Sequence, residues 1–183
     1  MRDEIDLVGR RVRLRSTVTA DGPALVAIRR TDEVRRRWRG EDLEAEFDAD
    51  LEDDSVHRLT IEVDGQIAGL IQFSEDDDDE YRHASIDIYV DPAVHRRGHG
   101  ADATRTLSDH LFDARAHHRL TIDPAADNVA AIDCYRSVGF APVGVMRSYE
   151  RQSDGTWADG LLMEMLATDR TDTTMNAEPP KPS

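Results

Sequence analysis

Charged and apolar side chains alternate at period two in Arg11-Val12-Arg13-Leu14-Arg15, the pattern of a half-buried strand. Residues 1–9 ahead of it carry no such pattern and read as a frayed N-terminus. Asp21 can cap a helix with Pro23 just inside its start, and Leu25, Ile28 and Val34 carry that helical region to about Arg37. Residues 39–56 are acidic and weakly patterned, which suits a short helix and a loop. Then two apolar runs, Leu59–Val63 and Ile67–Phe73, flank Asp64-Gly65, a common hairpin turn pair. Another strand, Ala84–Val90, stops at Asp91-Pro92.

The second half alternates helix and strand. A long helix is expected from about Gly98 to Ala116, with Leu107, Leu111 and Phe112 on its buried side. Leu120–Asp123 is a short strand closed by Pro124. Asp127 or Asn128 caps a helix that buries Ile132, Tyr135 and Val138, and Gly139 supplies its stop. Closing strands fall near Phe140–Arg147 and Leu161–Ala167. From Thr168 to residue 183 the chain turns polar and proline-rich and reads as a disordered tail. The order β-α-α-β-β-β-α-β-α-β-β predicts one mixed α/β domain over residues 10–167. Its sheet should hold about six or seven strands, with helices on both faces.

Composition narrows the function. A chain of 183 residues can bury roughly two-thirds of its unfolded surface in one core. No run approaches the ~18 apolar residues of a membrane span, and the N-terminal residues lack a signal-peptide profile. The single cysteine, Cys134, cannot form an internal disulfide, which suits a reducing cytoplasm. A net charge of −15 argues against a nucleic-acid partner and is compatible with a cationic small molecule, although a solubilising surface explains it equally well. The run Glu75–Glu80 is expected to be a solvated loop, and His117-His118 exposed helix-end residues without metal-ligand spacing. Monomer and homodimer are both open.

Chemistry concentrates between the third hairpin-side strand and the long helix. His95-Arg96-Arg97-Gly98-His99-Gly100-Ala101 places glycines where a helix begins, so backbone N–H groups and the helix dipole can meet a pyrophosphate, assisted by Arg96 and Arg97. It is neither a P-loop, lacking Gly-Lys-Ser/Thr, nor a dinucleotide fingerprint, lacking the third glycine. About 25 residues later comes Asp123-Pro124-x-x-x-Asn128-x-x-Ala131-Ile132-x-Cys134-Tyr135-x-x-x-Gly139-Phe140.

The combined pattern resembles the GNAT acyl-CoA transferases, and within them the aminoglycoside 6′-N-acetyltransferases, most strongly over residues 84–140. The resemblance implies a GNAT fold, acetyl-CoA as acyl donor, a cationic primary amine as acceptor, and no metal. It implies that Arg96, Arg97, Gly98, His99, Gly100 and Ala101 hold the CoA pyrophosphate. Val90 would present backbone groups to the pantetheine, and Asn128 would contact the same arm. Tyr135 would lie near the thioester sulfur and protonate the leaving thiolate. Asp87 and Asp123 would hold and deprotonate the amine, Asp159 would add a third substrate carboxylate, and Trp38-Arg39-Gly40-Glu41 would border the acceptor pocket. His95 departs from the Gln or Arg usual in its slot. Each residue also has a plainer role open to it: Tyr135 and Trp38 as core, Asp123 as a turn former, Asp87 on a solvated strand face, Cys134 as a small packed residue. An acyl-CoA-binding domain without turnover is the alternative from outside enzymology.

Overall fold

The computed structural model describes residues 4–170. Its strands form one mixed sheet in the order β1-β2-β3-β4-β5-β6-β8-β7. Strands β1 (Asp6–Val8), β2 (Arg13–Ser16), β3 (Val56–Val63), β4 (Gln66–Asp76) and β5 (His83–Val90) pair antiparallel in succession. β6 (Arg119–Ile122) joins β5 in parallel. β8 (Trp157–Leu166) then pairs antiparallel with β6, and the edge strand β7 (Ala141–Arg151) with β8. The helices are α1 (Gly22–Arg29), α2 (Asp32–Arg35), α3 (Leu43–Glu52), α4 (His99–Asp113) and α5 (Val129–Val138).

Alternation along the central strands feeds two cores. Ile71 and Phe73 of β4, with Ala84 and Ile86 of β5, face Leu107, Leu111 and Ile132 of α4 and α5. Leu70 and Tyr89 face the other way, onto Leu25, Ile28, Val34 and Phe47 of α1–α3. Helices therefore cover both faces, as the element order implies. Asp64 and Gly65 both take positive φ in the β3–β4 turn, the conformation that this pair readily adopts.

Several expectations are corrected. The described part of the N-terminus is not frayed: Ile5 is buried, β1 pairs with β2, and the buried Asp102 carboxylate of α4 accepts from Arg11 N (2.7 Å) and Val12 N (3.2 Å). β1 thus raises the strand number to eight; at three residues it is too short to show an alternation. Asp21 does not cap α1 with its side chain. Its buried carboxylate is gripped instead by Arg15 (2.7 Å to each oxygen), Thr60 Oγ1 (2.8 Å) and Val18 N (3.0 Å).

The acidic run is only partly solvated. Glu75 and Asp76 belong to β4, and Glu75 bonds the buried His117 Nε2 at 2.7 Å with Arg115 and His57 close by. His117 is consequently a core residue and not an exposed helix end, its ring drawn inward to the Glu75 carboxylate. The described part of the expected tail also has structure. Ala167–Asp169 forms a 3-10 turn, and Arg170 pairs with Asp109 and Asp113 of α4. Residues 171–183 lie outside the described residues.

Candidate active site

The sheet opens where the site forms. β5 and β6 pair only at Ala84↔Leu120 and Ser85↔Thr121, after which the two strands separate. Asp91 N donates to Ala68 O on the β4 side, so by alternation the main chain of Val90 and Ile88 faces the opened edge. His95 Nε2 lies 2.9 Å from Val90 O, and its other ring nitrogen is 3.9 Å from Glu33, so the departure at position 95 props the strand end. A groove of about 1030 Å³ fills the opening.

One wall of the groove is the start of α4. Gly98 is its N-cap at φ +81° and offers no capping side chain, so the first-turn N–H groups have neither a side-chain cap nor an intrahelical partner. A Cβ at Gly100 would meet only Cys134 Sγ and Val90 Cγ2, both at 3.8 Å. No backbone crowds that position, and only these two side-chain atoms touch it. The expected residues separate here: Arg96 and Arg97 are exposed, whereas His99 is buried with Nδ1 unpartnered. Next to the groove, and sharing Arg96, Gly98 and Ala101 with it, lies a basin of about 510 Å³ lined by Arg10, Arg11, Arg97 and Arg105 as well. Five arginines and one carboxylate, Asp102, line it, so its local balance is basic on a chain of charge −15. Arg10, Arg11 and Arg105 were invisible in a sequence whose basic residues are nearly all arginine, because only folding brings the β1–β2 turn beside α4.

The opposite end of the groove is acidic. Asp87, Asp123, Tyr135, Trp38 and Asn128 all line it together with Val90. Asp87 sits opposite Gln72, whose amide reaches it at 3.5 Å. Asp87 is exposed at the groove face of β5, with the groove walls crowding its carboxyl. That partial desolvation, followed by the nearby charge of Asp123, raises its pKa above the ordinary value, against the weak pull of Gln72. Tyr135 is buried on α5; desolvation, with Cys134, Asp87 and Asp123 nearby, pushes its phenol well up, so it stays protonated at neutral pH. Burial raises the Cys134 thiol too, which leaves it a poor nucleophile.

Trp38 packs edge-on against Tyr89 (4.9 Å between centroids) and also lines the groove, so it is core and pocket wall at once. Its neighbours strap the segment down: Arg37 pairs with Asp127 at 2.7 Å, and Arg39 with Glu150 (2.7 Å), Gln152 (2.9 Å) and Arg151 O. Asn128 caps α5 through Oδ1 to Ala131 N at 3.3 Å. Asp159 stands apart from the groove lining, its Oδ1 accepting from Ser148 N at 2.8 Å. Tyr149 is the residue the sequence did not disclose: it lines the groove within hydrogen-bonding reach of Asp123. Irregular pairing in β7 shifts its register, so no period in the sequence could have marked it.

Comparison with known proteins follows this geometry. The model of the acetyltransferase (GNAT) family matches residues 24–140. Spermidine N(1)-acetyltransferase of Escherichia coli K12 is 29% identical over 117 residues, 61% of this chain and 62% of that protein. [Ribosomal protein bS18]-alanine N-acetyltransferase of the same organism is 35% identical over 83 residues, 44% of this chain and 53% of that one. The match thus spans less than two-thirds of these curated relatives. The solved structure of Mycobacterium smegmatis RimJ in complex with CoA-disulfide superposes with a TM-score of 0.76 at 23% identity, covering 91% of this chain and 88% of that one, which shows the fold. Among the described residues no helix is long and apolar enough to cross a membrane.

Proposed function

We propose that this chain, which belongs to the acetyltransferase (GNAT) family, transfers an acetyl group from acetyl-CoA to a primary amine of a small polycation. The observation that carries the reading is the two-ended groove: uncapped helix N–H groups and arginines at one end, and two neighbouring carboxylates beside a protonated phenol at the other. Acetyl-CoA fits this arrangement. The α4 start, Gly98, Gly100 and the arginine basin would hold its phosphates, and the opened edge at Val90 would take the pantetheine arm beside Asn128. The thioester supplies the acetyl group when bound.

The chain's own groups account for the proton movements. An acceptor amine arrives protonated and needs a base; Asp123 takes that proton, directly or through water. Nitrogen then bonds to the acetyl carbon as the carbon–sulfur bond breaks. The opened main chain of Ile88 and Val90 is placed to donate to the developing oxyanion. Tyr135 donates its phenolic proton to the departing thiolate and is refilled, through water, by the second proton that the nitrogen sheds as it becomes an amide. Asp87 holds the second charge of a polycation. Transfer is direct, within a ternary complex.

The acceptor has three candidate classes. The sequence resemblance favours an aminoglycoside, whereas the printed names of the curated relatives favour a polyamine or a protein amine. A panel holding spermidine, an aminoglycoside, free amino acids and a short peptide separates these by release of free CoA thiol. Turnover with a polycation, and a kcat about 10²-fold lower in Asp123→Asn with acetyl-CoA affinity unchanged, is the expected result. Tight CoA binding with no turnover on any amine would make the chain a binding domain instead.

A further inference from the structure

The β7–β8 hairpin carries an irregularity that ends at Asp123. Met146 pairs with Gly160 and Glu150 with Ala158, so Arg147, Ser148 and Tyr149 all stand opposite the single residue Asp159. Ser148 adopts φ +50°, a left-handed conformation that a serine takes only when something holds it. Asp159 is what holds it, because its Oδ1 accepts the Ser148 N–H at 2.8 Å. The turned chain lays the Tyr149 ring over Gly160, where a Cβ would come within 2.8 Å of Tyr149 Cδ1. Gly160 bridges Ala125, two residues past Asp123, so Tyr149 and Asp123 line the same stretch of groove.

The same hairpin also anchors the backbone next to Asp123. Leu161 N donates to Pro124 O at 2.9 Å, Ala126 N donates to Asp159 O at 2.8 Å, and Ala125 bridges Gly160. The main chain following Asp123 is thus pinned from β8, and its side chain is approached from β7. Ordinary sheet pairing needs no such bulge; it sets Tyr149, itself about half exposed (51%), at the groove beside Asp123.

We propose that Tyr149 is a positioning residue for the acetyl transfer, orienting the Asp123 carboxylate toward the amine, and that Asp159 acts one step back by fixing the Ser148 bulge that aims Tyr149. The inference rests on Asp123 acting as the base. It gives Asp159 a task other than direct contact with substrate. The bond to Asp123, ahead of partial burial, pushes the Tyr149 phenol up to about 12, so it remains a donor throughout the working pH range.

A double-mutant cycle on the intact chain tests this. Tyr149→Phe keeps the ring over Gly160 and removes the hydroxyl. It should lower kcat about tenfold, the worth of one hydrogen bond to a charged group, with the acetyl-CoA KM unchanged. In the Asp123→Asn background the same change should cost nothing further. Asp159→Ala should reproduce the Tyr149→Phe loss, and Asp159→Asn, which keeps the accepting oxygen, should restore it. Full kcat in Tyr149→Phe, or a loss that adds to that of Asp123→Asn, overturns the positioning role while leaving the base in place. An amine KM that rises equally in Asp159→Asn and Asp159→Ala would mean that Asp159 holds substrate charge directly, and overturns it too. Wild-type kcat in Asp123→Asn alone would refute the base itself, a separately visible outcome.

Discussion

A buried carboxylate beside β3, Asp21, and an exposed one on β5, Asp87, have opposite fates. Asp21 loses hydration on burial, which by itself would raise its pKa, yet Arg15, Val18 N and Thr60 more than compensate and hold it below the ordinary range. Asp87 is desolvated as well, but it has one distant amide donor and a like-charged neighbour, so its pKa rises. A carboxylate whose oxygens are all satisfied is doing structural work. One left short of donors in a groove, beside a second carboxylate and a protonated phenol, lacks the partner that a bound cation would supply.

The contrast predicts where damage falls. Asp21→Asn should cost about 3 kcal/mol of stability, since it strips Arg15 of its buried partner, and should leave acetyl transfer by the folded fraction unchanged. Because its folded pKa is lowered, the stability contributed by Asp21 is present above pH ~4 and lost as pH falls through the depressed value. Denaturant melts between pH 3 and 7 measure this; a pH-independent difference between wild type and variant would contradict it.

Next in size is the donor end. Gly100→Leu puts a Cβ in ordinary contact with Cys134 and Val90 and sends the rest of its side chain toward the groove. It should weaken acetyl-CoA binding tenfold or more by calorimetry, at an unchanged melting temperature. Unchanged affinity would remove the phosphates from this helix start. The smallest effect is expected from the exposed stretch Asp77–Glu80: replacing its four acidic residues by Asn and Gln should leave kcat/KM within about twofold at physiological salt, where screening acts over ~8 Å. A large, salt-insensitive loss would bring this loop into contact with the acceptor.

These contrasts also mark what could be read from the chain. The hairpin at Asp64-Gly65 and the buried stripe Leu107, Leu111 and Phe112 follow local periodicity and spacing, whereas the gathering of Asp87, Asp123 and Tyr135 in one groove was implied only by the family resemblance. What escaped depends on contacts remote in sequence. Glu75 looks like the first charge of a solvated run until His117, 42 residues away, is brought against it. Asp21 has the signature of a helix cap and becomes a sheet-side anion because Arg15 and Thr60 outbid the helix. Tyr149 is aimed by a bulge, and a bulge breaks the very period from which strand faces are inferred.

The central claim is that the groove keeps Asp87 and Asp123 without a cationic partner, among the described residues, for an amine. Carboxyl-carbon NMR of the aspartate-labelled protein, titrated from pH 2.5 to 8, tests it most directly. Asp87 should titrate above the ordinary 3.8 and Asp21 below it. In Asp123→Asn the Asp87 midpoint should fall, because a neighbouring charge has been removed. Saturating spermidine should lower the Asp87 midpoint in the wild type and leave Asp21 unmoved. An Asp87 that titrates at or below 3.8 and ignores both Asp123 and the polyamine would mean that these carboxylates belong to the surface, and the account of the groove would fail.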